Sequence, residues 1–309
     1  MVDMSTTLCD VSHVDEVECH HDLQDFLCDL EDDPRLFQPE RLQERLIALD
    51  RLDAEFGDFD SEAFATLTNS RIHGRAKALQ IRLEGANADL YQSVRSEIVR
   101  GGKPHTLLQW LRNSTSQYES GSPLPGMGFD WRDELVSSIL QFSEPGELDR
   151  YRLPEMVPFQ PTPMRHILDL IDASFLSEDD VFVDLGSGLG HVPLLVSMLT
   201  GVRSVGIEVQ AAYVDSAQKC GRSLCLNSVQ FVAADARAAD LSSGTVFYLY
   251  TPFKGSILAD VLSMLRTESM HRLIKICSLG PCTNTVANET WLKTASKPST
   301  GRIAVFSSR

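Results

Sequence analysis

The 309-residue sequence contains no run of about 18 uninterrupted apolar residues, the length that a membrane-spanning helix requires. Its first residues carry acids rather than a positive start followed by an apolar stretch, so they do not resemble a secretory signal peptide. Internal repeats and low-complexity blocks are also missing. These absences argue against a membrane or secreted protein and against a repeat array. We expect a cytoplasmic protein that does not contact membranes.

Disulfide and metal frameworks are missing as well. The chain has seven cysteines, an odd number, and it is large. Both facts favour a reducing compartment over a disulfide scaffold. Cys9, Cys28 and the sequence Cys19-His20-His21 lie near one another, but their spacing fits no zinc motif built from paired C-x2-C units. We therefore expect no structural metal.

Basic charge is scarce at the start of the chain. The net charge is -15, and residues 1–62 account for it with 19 Asp and Glu against four Arg, whereas the remainder has 24 acidic and 24 basic residues. Nucleic-acid affinity depends largely on Lys and Arg that release phosphate counterions, and we find no basic stripe. This distribution argues against a nucleic-acid partner. The acidic segment is interpreted either as a solvated, partly disordered stretch or as an anionic surface for a basic partner.

The hydrophobic pattern changes near residue 150. Before that point, apolar residues recur at helical spacing in four segments, 39–56, 71–99, 106–112 and 131–142. Glycine and proline residues interrupt the pattern after residue 100 and over residues 120–128. We therefore predict an all-helical region over residues 1–150, with an acidic start.

From residue 151 onward, short apolar strands alternate with helices. The predicted elements cover residues 164–175, 181–183, 191–199, 204–207, 211–226, 229–233, 245–249, 256–266 and 273–278. This alternation is typical of β-α-β units and of a parallel sheet with helices on both faces. Two last strands near 290–294 and 302–307 indicate an antiparallel hairpin. Residues 151–309 are predicted to form a Rossmann-like, doubly wound α/β domain whose seven-stranded sheet closes in this C-terminal hairpin.

The most informative motif follows the first of these strands. It reads Asp184-Leu185-Gly186-Ser187-Gly188-Leu189-Gly190 and opens a helix at His191. Glycines are needed there because a Cβ would keep the chain from turning tightly and from approaching a ligand. A dinucleotide-binding loop has its third glycine where this chain has His191. An acid two residues before the first glycine suits a cationic ligand, such as the ammonium and sulfonium of S-adenosylmethionine.

Two further acids end the next two predicted strands. Glu208 closes Gly206-Ile207-Glu208, the place and spacing of a carboxylate that accepts hydrogen bonds from ribose hydroxyls. Asp235 ends the third strand, where it is placed to accept a hydrogen bond from an adenine amino group. One acid at a strand end is equally well explained as a solvated cap. Three acids at successive strand ends point to S-adenosylmethionine, with a nicotinamide cofactor as the alternative.

Two other segments carry candidate contacts to the reacting groups. Tyr250-Thr251-Pro252-Phe253 ends the fourth strand, and its aromatic faces would stabilise a sulfonium. The segment Val157–Pro163 contains three prolines that hold it extended. Gln160 and Thr162 in this segment are candidates for contact with the cofactor carboxylate or the substrate. The alternative interpretations are a turn set by Pro252 and a plain interdomain linker.

These motifs resemble those of class I S-adenosylmethionine-dependent methyltransferases. The sequence Val183–Val192, followed by Gly206-Ile207-Glu208 and Ala212-Tyr213, is similar to the loop region of the non-SET histone-lysine methyltransferases. The resemblance covers residues 158–309. It implies the seven-strand sheet, S-adenosylmethionine as cofactor and a methyltransferase activity.

The resemblance also implies roles for individual residues. Asp184, Gly186 and Gly188 would line the methionine moiety, Glu208 would hold the ribose, and Asp235 would contact the adenine edge. The predicted catalytic residues are Tyr250, Thr251 and Phe253. The full predicted cofactor-binding set is Gln160, Thr162, Asp184, Gly186, Ser187, Gly188, Gly190, His191, Glu208, Val209, Tyr213, Asp235, Ala236 and Tyr250.

The acceptor is defined less closely than the cofactor. The chain lacks the Tyr-Gly-Glu motif and the basic segment of the histone enzymes, and its fourth strand lacks the Asn of the Asn-Pro-Pro-Tyr motif that orients amines. Methyl transfer is an in-line displacement that positioning accelerates, and a base is needed only if the nucleophile must lose a proton. We expect a small metabolite or a protein side chain as acceptor. The alternatives are a protein-lysine methyltransferase similar to the histone enzymes and a non-catalytic binding module that acts as a sensor or partner protein.

Overall fold

The structure is a computed structural model, and it describes residues 23–56, 67–101, 107, 110–112, 128–146 and 154–309. The chain divides into two compact units, one ending at Tyr91 and the other beginning at Gln92. The boundary predicted near residue 150 falls within residues 147–153, outside the described residues, and stays a prediction. Cys9, the Cys19-His20-His21 sequence, residues 120–127 of the predicted loop 120–128 and part of the predicted helix 106–112 also lie outside the described residues.

The first unit is helical, as the sequence predicts. Helix α1 covers residues 23–31 and α2 covers Leu42–Phe56. Helix α3 covers Leu67–Val99, so it begins in this unit and ends beyond Tyr91. Two short 3-10 turns, Pro34–Phe37 and Pro39–Arg41, precede α2.

A buried arginine lies within this helical unit. Arg45 is fully buried, and its Nε donates to Asn87 Oδ1 at 2.6 Å. Its Nη1 donates to the carbonyl oxygens of Leu36 and Gln38 at 2.7 and 2.5 Å. A buried charge is tolerated only when hydrogen bonds replace its water. Arg45 therefore ties the 3-10 turn region and α2 to the long helix α3.

Six helices and seven strands of the second unit are described from end to end, besides the end of α3 and the helical residues 107 and 110–112. In chain order these are α4 Trp131–Leu140, α5 Met164–Ser174, β1 Val181–Leu185, α6 His191–Thr200, β2 Arg203–Glu208, α7 Ala211–Ser223, β3 Val229–Ala233, β4 Val246–Tyr250, α8 Gly255–Ser269, β5 Lys275–Leu279, α9 Cys282–Ala287, β6 Leu292–Lys293 and β7 Ala304–Ser308.

The strands form one seven-stranded sheet in the order β3-β2-β1-β4-β5-β7-β6. Strands β1 to β5 pair in parallel, and β7 runs antiparallel to both β5 and β6. The predicted doubly wound sheet with a C-terminal antiparallel hairpin is therefore confirmed. Strand β1 lies between β2 and β4, and all five of its residues are buried.

The pleat of β1 decides which side chains meet at its carboxyl end. Val183 belongs to the core cluster that also contains Phe247 and the apolar face of α8. Phe182 points to the opposite face, where its ring lies 6.3 Å from that of Tyr248. Because side chains alternate along a strand, Asp184 shares the face of Phe182. Asp184 is in register with Tyr248 on β4.

The structure differs from the sequence prediction at some element ends. Helix α4 stops at Leu140, two residues early, because Gln141 takes a left-handed φ of 49° and its N–H bonds to the Ser137 carbonyl. Helix α7 ends at Ser223, three residues early. Helix α9 was not predicted. No helix in the described part of the chain is long and apolar enough to cross a membrane.

Candidate cofactor and acceptor site

A cleft of about 800 Å³ lies at the carboxyl ends of β1, β2 and β4. Parallel sheets in α/β proteins bind ligands at this edge. The volume falls within the usual range of roughly 300–1000 Å³ for small-molecule sites. The cleft is therefore large enough for a small-molecule ligand.

Most of the predicted site residues line this cleft. They are Gln160, Thr162, Asp184, Gly186, Ser187, His191, Glu208, Val209, Tyr213, Asp235, Ala236, Tyr250, Thr251 and Phe253. Gly188 and Gly190 are not among the lining residues, because the Phe159 ring covers Gly188 and the Phe231 ring packs against Gly190. The roles of these residues toward a cofactor or acceptor remain predictions.

Several lining residues were missed by the sequence reasoning. They include Met156, Phe159, Tyr248, Pro252, Lys254, Ile257, Leu258, Pro281, Cys282 and Thr285. Most are apolar, and an apolar residue in a strand or helix is explained equally well by core packing. A signal was available for Tyr248, because it precedes Tyr250 by two residues and side chains two apart on a strand share a face.

The glycine loop turns tightly after β1. Gly186, Gly188 and Gly190 have left-handed φ angles of 85°, 53° and 83°. A Cβ built on Gly188 would lie 2.1 Å from the Phe159 ring. Only glycine therefore allows this aromatic ring to rest directly on the loop.

The N–H groups of the loop are hydrogen-bonded within the protein. Those of Gly186 and Ser187 both donate to the Ile207 carbonyl, at 2.8 and 3.0 Å. That of Gly188 donates to Glu208 Oε2 at 2.9 Å. The protein itself thus fixes the shape of the loop, using the end of the neighbouring strand β2.

Asp184 is the most unusual charged group of the cleft. It is 4% exposed, and within the described parts of the chain no donor hydrogen-bonds to its carboxylate. Burial, together with the nearby Glu208 carboxylate, raises the pKa of Asp184 well above its usual range. A buried carboxylate without a partner is unfavourable. A ligand cation would remove this penalty.

Glu208 holds the loop in addition to facing the cleft. Its Oε2 accepts from Gly188 N, and its Oε1 accepts from Gln210 N at 2.9 Å. A carboxylate offers about four acceptor positions. The two bonds therefore leave room for the ribose hydroxyls that the sequence assigns to Glu208.

Asp235 has a partner that was not predicted. The Arg237 guanidinium binds its carboxylate, with an Nη2 to Oδ2 distance of 2.6 Å. This hydrogen bond keeps the pKa of Asp235 below its usual range. An adenine amino group would have to share the Asp235 carboxylate with Arg237.

The end of β4 carries the predicted catalytic segment. Tyr250 is half-buried, and burial raises the pKa of its phenol. Thr251 has a φ of 41°, which is rare for a β-branched residue. Its hydroxyl donates to the Leu279 carbonyl and accepts from Cys282 N, both at 3.2 Å. The Thr251 side chain therefore joins the end of β4 to the end of β5 and the start of α9.

Aromatic side chains cover the glycine loop from above. The Phe159 ring centroid lies 5.4 Å from that of Tyr213 and 6.1 Å from that of His191. Phe142 lies 4.5 Å from His191 on another side. Burial among these rings lowers the pKa of His191 to about 4, so its imidazole is neutral near pH 7.

The polar groups of the cleft fit S-adenosylmethionine. Ser187 Oγ and His191 Nδ1 are buried without a hydrogen-bond partner in the described residues, and the Asp184 carboxylate also lacks a donor. Buried polar groups are normally paired. The amino-acid part of S-adenosylmethionine carries an ammonium, which can donate to the Asp184 carboxylate. It also carries a carboxylate, which can accept from a donor such as the Ser187 hydroxyl.

The comparison with protein families matches the same part of the chain. Residues 143–242 match the family described as "Histone methylation protein DOT1". This stretch contains the glycine loop, Glu208 and Asp235, and it lies within a sheet of the class I methyltransferase order. The chain is a class I S-adenosylmethionine-dependent methyltransferase. The match covers less than half of the chain and leaves the acceptor open.

Solved structures similar to this methyltransferase include other methyltransferases. An RNA methyltransferase from Salinibacter ruber in complex with S-adenosyl-L-homocysteine is 24% identical, with a TM-score of 0.38, over 48% of this chain and 92% of that one. The putative methyltransferase yhhF from Escherichia coli is 18% identical, with a TM-score of 0.38, over 52% and 92%. A human methyltransferase 10 domain containing protein is 16% identical, with a TM-score of 0.38, over 56% and 91%. Likeness at this level does not identify an acceptor. Comparison with curated proteins gave no match.

Proposed function

We propose that this methyltransferase acts on an acceptor other than nucleic acid, either a protein side chain or a small metabolite. The observation that carries the proposal is the charge of the cleft. The described lining of the cleft includes the acids Asp184, Glu208 and Asp235. Lys254 is the only Lys or Arg in that lining. With one basic side chain in the described lining, a phosphate backbone would gain little counterion release there.

The acceptor half of the cleft, formed by lining residues within 248–258 and 281–285, supports a nucleophile that arrives uncharged. Its described lining contains no carboxylate and no imidazole. The Tyr250 phenol is protonated near neutral pH, because burial raises its pKa. No side chain there is suited to act as general base. The rate would then depend on in-line placement of the nucleophile.

S-adenosylmethionine supplies the electrophilic methyl carbon, which it carries on its sulfonium. We assign Asp184 to the cofactor ammonium and Glu208 to the ribose. Tyr250 and Phe253 would present aromatic faces toward the positive sulfonium. Phe159 and the residues beside it would exclude water from the methionine end.

Within this class, a basic protein is the acceptor that the charge pattern favours. Residues 1–62 contain 19 acidic and four basic residues, and opposite charge steers association. The match to a family described by histone methylation also supports a protein acceptor. A lysine side chain is a candidate only as its uncharged amine, because the acceptor half offers no base to remove a proton. The missing Tyr-Gly-Glu motif and basic segment argue against a nucleosome as the substrate.

The test is incubation with S-adenosylmethionine that carries a labelled methyl group, using nucleic-acid, protein and small-molecule pools from one lysate. We expect label in the protein or small-molecule pool, in proportion to the S-adenosylhomocysteine formed. The rate with a basic protein should fall as ionic strength rises. Label that is released by nuclease would contradict the proposal. A cytoplasmic location remains a prediction of the sequence.

A further inference from the structure

The segment that closes one side of the cleft is held by very few backbone contacts. Residues 156–162, which we call the cover, all line the cleft. The only backbone pairing of the cover in the described structure is an isolated antiparallel bridge between Met156 and Phe253. Val157 N donates to the Pro252 carbonyl at 3.0 Å beside this bridge. The position of the cover must therefore depend on additional contacts at its ends.

The far end of the cover is fixed by side chains. The Phe159 ring rests on Gly188 of the glycine loop. Thr162 is 7% exposed, and its Oγ1 lies 3.4 Å from the hydroxyl of Tyr248, which is 1% exposed. These contacts join the cover to the glycine loop and to β4.

The near end of the cover is fixed by Glu155. Its carboxylate accepts hydrogen bonds from Ser256 N at 2.9 Å, Ser256 Oγ at 2.7 Å and Ile257 N at 3.2 Å. Its carbonyl accepts from Lys254 N at 2.9 Å. The bond from Ser256 N is the main reason that the pKa of Glu155 lies below its usual range. A residue from before the cover thus caps the first turn of α8, where unpaired N–H groups favour a carboxylate.

The chain is shaped to receive this carboxylate. Gly255, the first residue of α8, has a left-handed φ of 60°. A Cβ built there would lie 2.0 Å from Glu155 Oε1. Any other residue at this position would push the carboxylate out of the cap. The Glu155 carboxylate can therefore reach the cap only when residue 255 is glycine.

We infer that Glu155 is a positioning residue for methyl transfer: by capping α8 it holds the cover against the β4 loop and sets where Met156 and Phe253 meet the bound cofactor. The inference rests on the proposed role of the cover in cofactor binding. Glu155 itself lines no part of the cleft in the described structure. Its effect on the cofactor is therefore indirect, through the segment on either side of the Met156–Phe253 bridge.

The experiment measures the Kd for S-adenosylhomocysteine by calorimetry in three single variants of the full chain. Glu155→Ala removes the cap, and Glu155→Gln retains an amide oxygen that can accept from Ser256 N. Asp130→Ala is the matched control, because Asp130 caps α4 in the same unit and does not line the cleft. Circular dichroism and thermal melting verify that each variant folds.

We expect Glu155→Ala to raise the Kd by about tenfold, which corresponds to the loss of one hydrogen bond to a charged group. Glu155→Gln should recover most of the affinity, and Asp130→Ala should lower stability with little change in Kd. Gly255→Ala should weaken binding in the wild type and have little further effect in the Glu155→Ala background, because both changes remove the same cap.

Three outcomes would overturn the inference. They are an unchanged Kd in Glu155→Ala, an equal loss of affinity in Asp130→Ala, and effects of Glu155→Ala and Gly255→Ala that simply multiply. These outcomes are distinct from a failure of the cofactor site itself, which would appear as a wild-type protein that does not bind S-adenosylhomocysteine.

Discussion

Replacing Asp184 by Asn is expected to have opposite effects on cofactor binding and on the stability of the protein without cofactor. The substitution keeps the shape of the side chain and removes its charge. In the absence of cofactor the carboxylate is buried, has no hydrogen-bond donor in the described structure and lies near Glu208. Asp184→Asn removes an unpaired buried charge, so the free energy of unfolding should rise.

Binding should weaken because the cofactor ammonium loses its partner. Removing one member of a buried, hydrogen-bonded charge pair costs about 2–5 kcal/mol. At about 1.4 kcal/mol per factor of ten, the Kd for S-adenosylhomocysteine should rise by roughly 30-fold to 4000-fold. Titration calorimetry measures this change directly, and urea denaturation measures the accompanying change in stability.

The pH dependence of the wild type follows from the raised pKa of Asp184. Between the pKa of the unfolded chain, about 3.9, and the higher value in the folded protein, the folded state binds more protons than the unfolded state. This contribution to stability is present at low pH and is lost as pH rises through that window. Cofactor affinity should rise over the same window, because the ammonium prefers the ionised carboxylate. In Asp184→Asn both dependences should flatten.

Asp180 provides a control at the other end of β1. Although burial acts against it, hydrogen bonds from Thr245 and Ser177 hold the pKa of Asp180 below its usual range. Asp180→Asn should therefore lower stability and leave the Kd unchanged. The reasoning about Asp184 would be refuted if Asp184→Asn bound S-adenosylhomocysteine as tightly as the wild type, or if it were less stable than the wild type at pH 8.

Three further substitutions test other contacts. Gly188→Ala should lower the free energy of unfolding by about 1–3 kcal/mol, because its Cβ meets the Phe159 ring; Gly301→Ala, with no atom within 4 Å of the added Cβ, should change it little in the same urea titration. His191→Gln should make stability less sensitive to acid. The pKa of His191 is about 4 in the folded protein and about 6.5 in the unfolded chain, so the free energy of unfolding of the wild type falls by roughly 3 kcal/mol as pH falls through this window. Denaturation at pH 7 and pH 4 measures this difference. Thr251→Val should cost about 1–3 kcal/mol by leaving the Leu279 carbonyl and Cys282 N without their partner, whereas Thr251→Ser should retain both bonds and most of the stability; equal losses in the two variants would contradict this account.

The sheet could be predicted because its strands are short apolar runs between helices with clear apolar faces. Strand β3, Val229–Ala233, has the predicted ends, and β1 and β2 are longer than predicted by only two residues each. Helix α9 was missed because a helix of six residues has fewer than two turns, too short for an apolar periodicity to be recognised. Its one signal was Gly280-Pro281, a turn followed by a proline at a helix start.

The sheet edge at which the cleft lies could also be predicted, because parallel strands bring their carboxyl ends to one edge. Asp184 lies opposite Gly206, and Glu208 lies opposite Ala233. The partners of these acids depend on side-chain rotamers and could not be predicted. A carboxylate at a strand end can accept from backbone N–H groups, as Glu208 does, or bind a nearby arginine, as Asp235 does. Spacing along the chain does not show which of these partners it will have.

The hydrogen bonds inside the glycine loop have a consequence for the kinetics of cofactor exchange. Since the N–H groups of Gly186, Ser187 and Gly188 are bonded to Ile207 and Glu208 in the protein alone, the loop needs no ordering when a cofactor arrives. The conformational entropy lost on binding then comes mainly from ordering the cover, residues 156–162. The cover has a single backbone bridge to the rest of the described structure. We expect entry of S-adenosylmethionine and release of S-adenosylhomocysteine to share one opening rate, and turnover at saturating acceptor to be limited by that opening rather than by affinity for the loop.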